Sequence, residues 1–589
     1  MTFRHPAILL FLAGAGFAQS PAALFQQHCA SCHSDGNSVG APPPATLRQM
    51  SSQSIDAALE TGKMAGVAAD LTSAQREAIA KYLGTTGARP NSSDACASSA
   101  ARSSGGDWNG WADAANTRFQ SARAAGLNRQ NVGKLRLKWA FGFPDVTTAF
   151  GTPSVFQGRV FVGAADGSVF SLDARTGCTH WTFKAAGGVR TAPVAGTGRV
   201  YFGDIRGNVY AVDAATGALV WKARADEHPM AVITGSPKLD AGRLYVPVSG
   251  RDESLAATNP SFECCTFRGS VVAFDAATGK RIWQAYTITD QPRPSGQNAK
   301  GTRTLGPSGA VVWSSPTLDL QKRAIYVGTG VNYSNPPTDT SDAIVAFDLD
   351  SGRRLWSRQF TVGDMWTFAC TAADKTGCPK YPFIDADFGN SGILRNLGGG
   401  KRLLMASDKS GMVYGIDPDR QGEILWKRKI ASGGVNGGTM WGGASDDRGV
   451  AYIGISDFTA GKPEMGGGLI ALKLTTGERL WMTPAPKPSC LAAAGCSAAQ
   501  PAPVTVAPGL AFQGSWDGHI RAYETGRGAI VWDFDTARDF DTVNGVKARG
   551  GSIISMAPTV AGGMVYITSG YSGNGMPGNA LLAFSVDGK

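Results

Sequence analysis

Five residues near the amino terminus, Cys29 to His33, have the sequence CASCH, which is the C-x-x-C-H pattern that attaches a c-type haem. In such a site each cysteine sulfur bonds to a haem vinyl group, and the histidine, here His33, becomes the proximal ligand of the iron. The distal ligand must come from further along the chain, and we expect Met64, in TGKMAG, with Met50 as the alternative. Histidine and methionine together raise the reduction potential of a haem, which suits an acceptor of electrons.

Two other cysteines, Cys264 and Cys265, are neighbours in SFECCTFRGS. Neighbouring Cα atoms lie about 3.8 Å apart across a trans peptide, whereas relaxed disulfides place them roughly 4.4–6.8 Å apart. A bond between them would therefore close a small strained ring, and strained disulfides are easier to reduce and often functional. These ten residues alone leave two interpretations open, a vicinal disulfide and a pair of buried thiols.

The remaining six cysteines are interpreted as disulfides of a secreted chain. Short spacing favours the local pairs Cys370–Cys378 and Cys490–Cys496, which leaves Cys96 to pair with Cys178. The six histidines include no close pair, which argues against a zinc site.

The haem motif needs a small helical domain around it, and residues 20–90 have the pattern of an all-α cytochrome c domain. Its last helix is expected to begin after Thr72 and to end at Gly84. Residues 1–18 combine an early Arg4, a short apolar stretch and small residues, which predicts a signal peptide cut after Ala18. Residues 91–107 are rich in Ser, Ala and Gly and are typical of a linker.

Residues 108–589 repeat one plan, in which a β run meets a polar turn with glycine and a second β run starts at tryptophan. The repeated tryptophans are Trp181, Trp221, Trp283, Trp356, Trp426, Trp481 and Trp532. Several strands in each long repeat predict a β-propeller. The last repeat stops before any tryptophan, so we expect the strand around Trp139 to complete it. The predicted fold is mainly β, an eight-bladed β-propeller after a small all-α cytochrome c domain.

Composition narrows the classes of function. The chain has 589 residues, of which 43% are hydrophobic and 17% charged, as in globular proteins. The formal net charge is +10 without a dense Lys/Arg run, which argues against nucleic acid and suits an acidic redox partner. No segment after the leader reads as a membrane span. If the source is a Gram-negative bacterium, the expected location is the periplasm.

Residues 108–589 resemble the quinoprotein alcohol dehydrogenases, which are eight-bladed propellers that carry pyrroloquinoline quinone (PQQ) and a metal ion. The resemblance lies in the Asp-x-x-Thr-Gly-x-x-x-Trp repeats, the adjacent cysteines and the closing stretches TVNGVKARGGSI and GNALLAF. A haem domain that precedes the propeller and is followed by DWNGWADAANTRFQSA looks like the polyvinyl alcohol dehydrogenase family.

In this family a vicinal disulfide lies against one face of the quinone and a tryptophan against the other. The resemblance therefore implies that Cys264–Cys265 and Trp313 enclose PQQ. Further contacts to the cofactor, cationic or hydroxylic, match Arg190, Thr234, Ser249 and Lys409.

The resemblance also implies a Ca²⁺ ion held by oxygen atoms of a glutamate, an asparagine and the cofactor. Asn332 is the expected asparagine, and Glu253 and Glu263 are both candidates for the glutamate. The family's base is an aspartate shortly after that asparagine. We expect Asp339, with Asp342 as the alternative, to take the hydroxyl proton while hydride leaves carbon.

The function implied is a periplasmic quinohaemoprotein dehydrogenase that oxidises a secondary alcohol, with polyvinyl alcohol as the expected substrate. Electrons would pass to the chain's own haem c and then to an external acceptor such as another cytochrome c. Three alternatives remain open. The chain could oxidise another small alcohol or aldehyde, it could be a non-enzymatic propeller of the outer-membrane assembly type, or it could be a cytochrome fused to a degenerate propeller. Binding of PQQ distinguishes the enzymes from the other two.

Overall fold

The structure is a computed structural model that describes residues 19–34, 41–48, 50–60, 64, 67–68, 70–84, 95–96, 105–380 and 384–588. The chain divides into two compact units, Met1–Asn37 with Ala41–Ala88 and Ser38–Gly40 with Arg89–Lys589. The expected signal peptide lies outside the described residues. Within the described ranges, every helix is too short or too polar to cross a bilayer.

The first unit is helical. Its helices are α1 (Pro21–His28), α2 (Pro44–Leu47), α3 (Ser52–Glu60) and α4 (Ser73–Leu83). Helix α4 forms where the sequence predicts it because Thr72 and Gln75 make a capping box, each satisfying a backbone N–H at the start of the helix. Apolar residues of α1, α3 and α4 share one core, which includes Leu24, Ile55 and Ile79.

The second unit contains eight antiparallel blades, seven of four strands and one, blade 3, of four strands with a short fifth strand, which confirms the predicted propeller. Strands within each blade run from the innermost to the outermost. Blades 1 to 4 are Ser154–Phe156, Arg159–Gly163, Ser168–Asp173, Thr179–Lys184; Val194–Gly196, Arg199–Gly203, Asn208–Asp213, Leu219–Arg224; Lys238–Asp240, Arg243–Gly250, Ser270–Asp275, Arg281–Tyr286; and Thr317–Asp319, Ala324–Gly328, Ala343–Asp348, Arg354–Gln359. Blades 5 to 7 are Ile393–Gly398, Lys401–Ser407, Met412–Asp417, Glu423–Lys429; Ala444–Ser445, Val450–Ile455, Gly468–Lys473, Arg479–Pro484; and Val504–Ala507, Leu510–Gly514, His519–Glu524, Ile530–Asp535.

Blade 8 joins the two ends of the propeller sequence. Its strands are Thr559–Ala561, Met564–Ser569, Ala580–Ser585 and, outermost, Arg136–Gly142. The amino-terminal strand pairs antiparallel with Ala580–Ser585 and sets Trp139 opposite Ala583. The prediction that Trp139 completes the last blade is therefore confirmed. Closure of the ring packs blade 8 against blade 1 in one apolar core, which buries the two blade faces that an open array would leave exposed.

Smaller elements decorate the blades. The helices are α5 (Ala122–Ala125) and α6 (Asp252–Thr258), with 3₁₀ turns at Val132–Lys134, Phe368–Cys370 and Pro418–Arg420. Short strands are Ala231–Val232, which extends blade 3, and the pairs Arg293–Gln297 with Arg303–Gly306, Ser308–Gly309 with Asn332–Ser334, and Asp539–Phe540 with Ala548–Arg549.

The repeated tryptophan and glycine explain how neighbouring blades pack. The Trp181 indole of blade 1 lies on Gly217 of blade 2, where a Cβ atom would come within 2.7 Å of the ring. Its Nε1 also donates to the carbonyl of Ala214 at 3.0 Å. Gly217 has φ of +75°, which glycine adopts freely. The same contact recurs around the ring, so the turn requires glycine for both its conformation and its neighbour.

A segment from Asp107 to Gln120, which we call the belt, hydrogen-bonds with the innermost strand of every blade in order. Its partners are Val155, Ala195, Lys238, Leu318, Leu394, Ser445, Val506 and Val560. Arg118 of the belt is buried and donates to the carbonyls of Val504 and Pro558 at 2.8 and 3.1 Å. The belt therefore connects all eight blades.

Candidate functional site

Strand order places the expected site residues at one end of the propeller. In an antiparallel four-stranded blade, the loop between the second and third strands and the loop to the next blade leave from the same end. The first kind of loop carries Asn332 and Lys409, and the second carries Arg190, Thr234 and Trp313. Cys264 and Cys265 follow the second strand of blade 3, so they belong to this end as well.

Arg190, Thr234 and Trp313 line one partly open cavity. The rest of its wall is formed by Trp111, Thr152, Gly235, Ser236, Ser314, Ser315, Gly389, Ser391, Trp441 and Ser555. Trp313 can lie here because residue 389 is glycine, since a Cβ atom at that position would be 1.9 Å from the indole Cη2. The Trp441 ring meets Trp313 edge to face at 4.9 Å, and the Arg190 guanidinium lies 4.4 Å from the centre of Trp441.

Five buried donors on the cavity wall have no hydrogen-bond partner within the described residues. They are Arg190 Nη2, Trp111 Nε1, Trp441 Nε1, Ser314 Oγ and Ser391 Oγ. Buried donors are costly when unsatisfied, so they indicate a ligand or ordered water. None of the lining residues is Asp or Glu. The wall therefore suits a molecule with several acceptor oxygen atoms and negative charge.

Cys264 and Cys265 form a disulfide, and the peptide bond between them is cis, with the Cα atoms 3.0 Å apart. The separation of about 3.8 Å that a trans peptide gives does not apply to this pair. Both cysteines are buried in an apolar cluster with Val311, against which Trp313 packs. Neither cysteine is on the cavity wall. The backbone of Leu305 exchanges hydrogen bonds with both cysteines, so the hairpin that contains it holds the disulfide in place.

Lys409 lies between two aspartates that sequence analysis missed. Its ammonium nitrogen is 3.0 and 2.9 Å from the carboxylate oxygens of Asp385 and 3.0 Å from Asp387 Oδ2. The same nitrogen is 5.5 Å from the centre of the Trp313 ring and 5.9 Å from that of Trp366. Burial raises the pKa of Asp385 to about 7 although Lys409 favours the ionised form.

The two candidate metal glutamates have different surroundings. Glu263 is exposed and forms a bidentate ion pair with Arg303 at 3.2 and 2.7 Å. Glu253, at the start of α6, has a pKa raised well above its usual value by burial and then by the charges of Asp387 and Asp385. Carboxylates forced together in this way attract a cation with oxygen ligands. These surroundings favour Glu253.

Asn332 is fully buried, and its side chain is engaged within the protein. Its Oδ1 accepts from the Thr338 backbone N–H at 2.9 Å, and its Nδ2 donates to the Ser308 carbonyl at 3.0 Å. Among the described residues, no group of three or more His, Cys, Asp or Glu side chains is arranged to hold a metal ion. A metal at this site would therefore need the cofactor or carbonyl oxygens among its ligands.

The two expected bases are placed very differently. The Asp339 side chain is 73% exposed, with Arg354 at 3.8 Å. Such exposure does not suit a base that acts beside a buried cofactor. Asp342 is fully buried, and neither of its carboxylate oxygens has a hydrogen-bond partner in the described structure. Burial, followed by the charge of Asp387, raises its pKa well above the usual value.

Ser249 and Thr234 occupy different environments. Ser249 is buried and pairs with Val232 in the sheet of blade 3, but it is not on the cavity wall. Thr234 Oγ1 donates to the Trp313 carbonyl at 3.5 Å and lines the cavity.

The haem motif follows helix α1 directly. His33 is buried, and its Nδ1 is 2.8 Å from the Pro42 carbonyl, which can only accept. Nδ1 therefore carries the proton and Nε2 keeps its lone pair free for iron. Cys29 and Cys32 are free thiols, as attachment of haem requires. Met64 and Met50 both pack against the core of the helical unit, so this packing does not distinguish the two distal ligands.

The three other disulfides are Cys96–Cys178, Cys370–Cys378 and Cys490–Cys496, which confirms the two pairs predicted from spacing and the one that remained. Cys178 lies between the third and fourth strands of blade 1. It is therefore at the end of the propeller opposite the cavity.

A simple signal was available for the missed residues. Six tryptophans lie outside the repeat positions, namely Trp108, Trp111, Trp313, Trp366, Trp441 and Trp516. Trp111 and Trp441 share the cavity with Trp313, and Trp366 lies beside Lys409. Asp385 and Asp387 are two residues apart in sequence, and both carboxylates contact Lys409. Both patterns are visible in the sequence.

Comparison with known proteins gives matches over nearly the whole chain. The family described as "Outer membrane protein assembly factor BamB" matches residues 128–361 and 409–549, and the family described as "Cytochrome C oxidase, cbb3-type, subunit III" matches residues 16–83. A polyvinylalcohol dehydrogenase of Sphingopyxis sp. (strain 113P3) is 36% identical over 96% of this chain and 92% of its own. Another from Pseudomonas sp. is 36% identical over 96% of this chain and 94% of its own.

Among solved structures, the quinohemoprotein alcohol dehydrogenase from Comamonas testosteroni superposes with a TM-score of 0.60 at 20% identity. The match covers 82% of this chain and 81% of that one. At this identity the likeness establishes the shared fold.

Proposed function

We propose that this chain, which belongs to the polyvinyl alcohol dehydrogenase family, oxidises secondary alcohol groups in the periplasm. These groups include those of polyvinyl alcohol. Its propeller also belongs to the repeat family described by BamB. Family membership makes the chain a PQQ- and cytochrome c-dependent alcohol dehydrogenase. The observation that carries the proposal of substrate is the 36% identity to two polyvinylalcohol dehydrogenases over 96% of the chain.

The donor-lined cavity supports PQQ as the cofactor. When bound, PQQ supplies an ortho-quinone that accepts a hydride equivalent from the carbinol carbon. Arg190, Ser314, Ser391, Trp111 and Trp441 offer unsatisfied donors to its carboxylate and carbonyl oxygens. Trp313, with Gly389 behind it, would hold one face of the ring, and we keep Cys264–Cys265 as the proposed cover of the other.

The arrangement around Lys409 supports Asp385 as the base in place of Asp339. The base must lie beside the reacting carbinol, and Asp385 is buried and contacts Lys409, which also faces Trp313. In this proposal Asp385 takes the hydroxyl proton as hydride leaves carbon. Lys409 stabilises the ionised carboxylate, and Asp387 orients Lys409 from the other side. Asp342 remains the alternative.

The resident metal is proposed to be Ca²⁺ beside Glu253. A cation there would lower the pKa of Glu253 by neutralising the carboxylates that now raise it. Asn332 would contribute Oδ1 in exchange for its contact with Thr338. Glu263 is held by Arg303 and is not included in this proposal.

The haem unit is proposed to accept electrons from the propeller singly and to pass them to an external acceptor such as another cytochrome c. His33 would supply Nε2 to the iron, because the Pro42 carbonyl holds the proton on Nδ1. Met64 is kept as the distal ligand, with Met50 as the alternative.

The test is reduction of the haem by substrate. Protein matured with covalent haem is loaded with PQQ and Ca²⁺, and the haem spectrum is followed after addition of polyvinyl alcohol or 2-pentanol. We expect reduction with PQQ present and none without it. Arg190→Met should weaken binding of PQQ, whereas Arg268→Met, which removes a buried arginine stacked on Tyr286 in blade 3, is the matched control.

The match to the BamB family favours a second candidate, a scaffold for assembly at the outer membrane. A scaffold would bind no PQQ, and its haem would stay oxidised with every alcohol. Either substrate-driven reduction or saturable binding of PQQ would exclude this candidate.

A further inference from the structure

The segment between blades 4 and 5 covers the region beside Lys409, and we call its described residues, 360–380 and 384–392, the cap loop. The Trp366 backbone N–H donates to the Asn332 carbonyl at 2.9 Å. The Asp364 carboxylate accepts from the backbone N–H groups of Ile384 and Ala386 at 3.2 and 2.9 Å. The first bond attaches the cap loop to Asn332, and the other two join the two ends of the loop to each other.

The middle of the cap loop is held by its own cross-links. Cys370 and Cys378 form a disulfide, and Thr367 Oγ1 donates to the Gly377 carbonyl at 2.9 Å. Asp374 forms an ion pair with Lys300 at 2.7 Å. The side chains of this loop are therefore presented in fixed positions, which lowers the entropic cost of binding a ligand.

Three large apolar side chains of the cap loop are exposed, Val362, Phe368 and Ile384, and the last two are next to the site. Phe368 is 45% exposed and Ile384 is 55% exposed. An isolated exposed apolar residue needs no explanation. These two differ because the Phe368 ring lies 4.8 Å from the Trp366 ring, which is itself beside Lys409, and Ile384 directly precedes Asp385.

The apolar surface continues from Trp366 toward the outside. Partly buried Phe262, Cys370 and Val435 pack against the same apolar cluster that contains Trp366. The acidic residues nearby are engaged, because Asp364 caps two N–H groups and Asp374 pairs with Lys300. The apolar part of this surface therefore suits a ligand with hydrocarbon groups.

We propose that Phe368 and Ile384 bind the hydrocarbon backbone of polyvinyl alcohol on either side of the carbinol being oxidised. This inference rests on the proposed function. The polymer is uncharged and carries CH₂ groups between its alcohols, so it can bury apolar surface on these side chains while one alcohol reaches Asp385. The cap loop would thus make the chain prefer a polymer over a short alcohol with the same reacting group.

The first test measures binding of the polymer without turnover. Full-chain protein lacking PQQ is titrated into fluorescently labelled polyvinyl alcohol, and anisotropy gives the dissociation constant. Phe368→Ser and Ile384→Ser should each weaken binding by roughly three- to tenfold, the loss expected from removing part of one apolar side-chain contact. Leu480→Ser is the matched control, since Leu480 is 47% exposed on the outer strand of blade 6.

The second test compares kcat/KM for polyvinyl alcohol and for 2-pentanol in the loaded enzyme. Both cap-loop variants should lower the ratio of polymer to short alcohol several-fold, and Leu480→Ser should keep the wild-type ratio. Unchanged binding and an unchanged ratio in both variants would overturn the inference. If the wild-type protein reduces its haem with neither alcohol, the proposed function itself is wrong. If it oxidises 2-pentanol but does not bind the polymer, only this inference is wrong.

Discussion

Asp385 and Asp339 differ in the properties that a proton-accepting carboxylate needs. Asp385 is buried and in contact with Lys409, whereas Asp339 is largely exposed. We expect Asp385→Asn to lower turnover by about 10²–10⁴-fold, the usual contribution of a general base. Asp339→Asn should leave turnover within about twofold. Turnover is measured as substrate-driven reduction of haem in protein with full PQQ and haem content.

The same measurement tests the alternative base. If Asp342→Asn lowers turnover by the same large factor and Asp385→Asn does not, the assignment of the base moves to Asp342. Loss of bound PQQ in Asp385→Asn would instead indicate a role in holding the cofactor.

The distal haem ligand is a second prediction about single residues. Replacing Met64 with leucine should lower the reduction potential of the haem, because loss of the thioether removes the ligand that stabilises the reduced iron. Covalent attachment through Cys29 and Cys32 should persist and can be checked by a haem stain on a denaturing gel. A potential that stays the same in Met64→Leu but falls in Met50→Leu would identify Met50 as the ligand.

At the scale of the β-blade, the contact between tryptophan and glycine predicts which turns tolerate a side chain. Gly217 and Gly242 have nearly the same φ, +75° and +77°, but only Gly217 lies under a tryptophan ring. Gly242→Ala should cost about 1 kcal/mol from backbone strain alone. Gly217→Ala should cost about 2–4 kcal/mol, because its Cβ also meets Trp181.

The two variants are compared by their urea unfolding midpoints. Equal shifts would show that the tryptophan yields to the added methyl group. In that case the repeat requires glycine only for the positive φ of the turn.

The belt predicts a dependence of stability on pH. Lys238 of blade 3 is buried and donates to the Ala112 carbonyl at 2.9 Å, and burial lowers the pKa of Lys238 to about 7. The unfolded chain has the ordinary lysine pKa of about 10.4, so it binds more protons than the folded protein between these values. Between these pH values Lys238 is neutral in the folded protein and still charged in the unfolded chain. Its titration therefore makes the protein more stable as pH rises from about 7 to 10.

The matched experiment measures the urea midpoint from pH 7 to pH 9 in wild-type protein and in Lys238→Met. The wild-type midpoint should rise more steeply with pH than that of the variant, because methionine has no proton to lose at position 238. If the two midpoints change equally with pH, the pKa of Lys238 is not lowered in the folded protein.

At the scale of the whole molecule, the features that could be predicted from the sequence are mainly those that repeat along the chain. The eight blades and the closing role of Trp139 follow from a pattern present many times, so one irregular copy does not hide it. Two disulfide pairs followed from short spacing, and Cys96–Cys178 was the pair that remained. Arg190, Thr234 and Trp313 were matched to one site and do share a cavity. Asp385 and Asp387, which we propose for the site and which sequence analysis did not single out, lie in the long connection between blades 4 and 5, which has no periodicity.

The choice among single acidic residues depends on tertiary structure for a related physical reason. Asp339 is near Asn332 in sequence, but the turn carries its side chain to the surface, whereas Asp385 returns to Lys409 from the far side of the cap loop. Glu253 and Glu263 carry the same side chain, so the sequence does not distinguish them as metal ligands. Their neighbours in the structure do, because Glu253 is buried near other carboxylates and Glu263 pairs with Arg303. Electrostatic surroundings of this kind depend on tertiary packing.

The belt has a consequence for the order in which the chain folds. Asp107–Gln120 is synthesised before any blade, yet its hydrogen bonds extend to Val560 in the last one. The belt can therefore complete its contacts only after synthesis has reached the carboxy-terminal strands. A chain that stops short of blade 8 leaves the Gln120 amide and the outer strand at Trp139 without their partners. Such a chain should be open to proteolysis near its amino terminus, so the belt makes completeness of the whole ring a condition for survival of the folded protein.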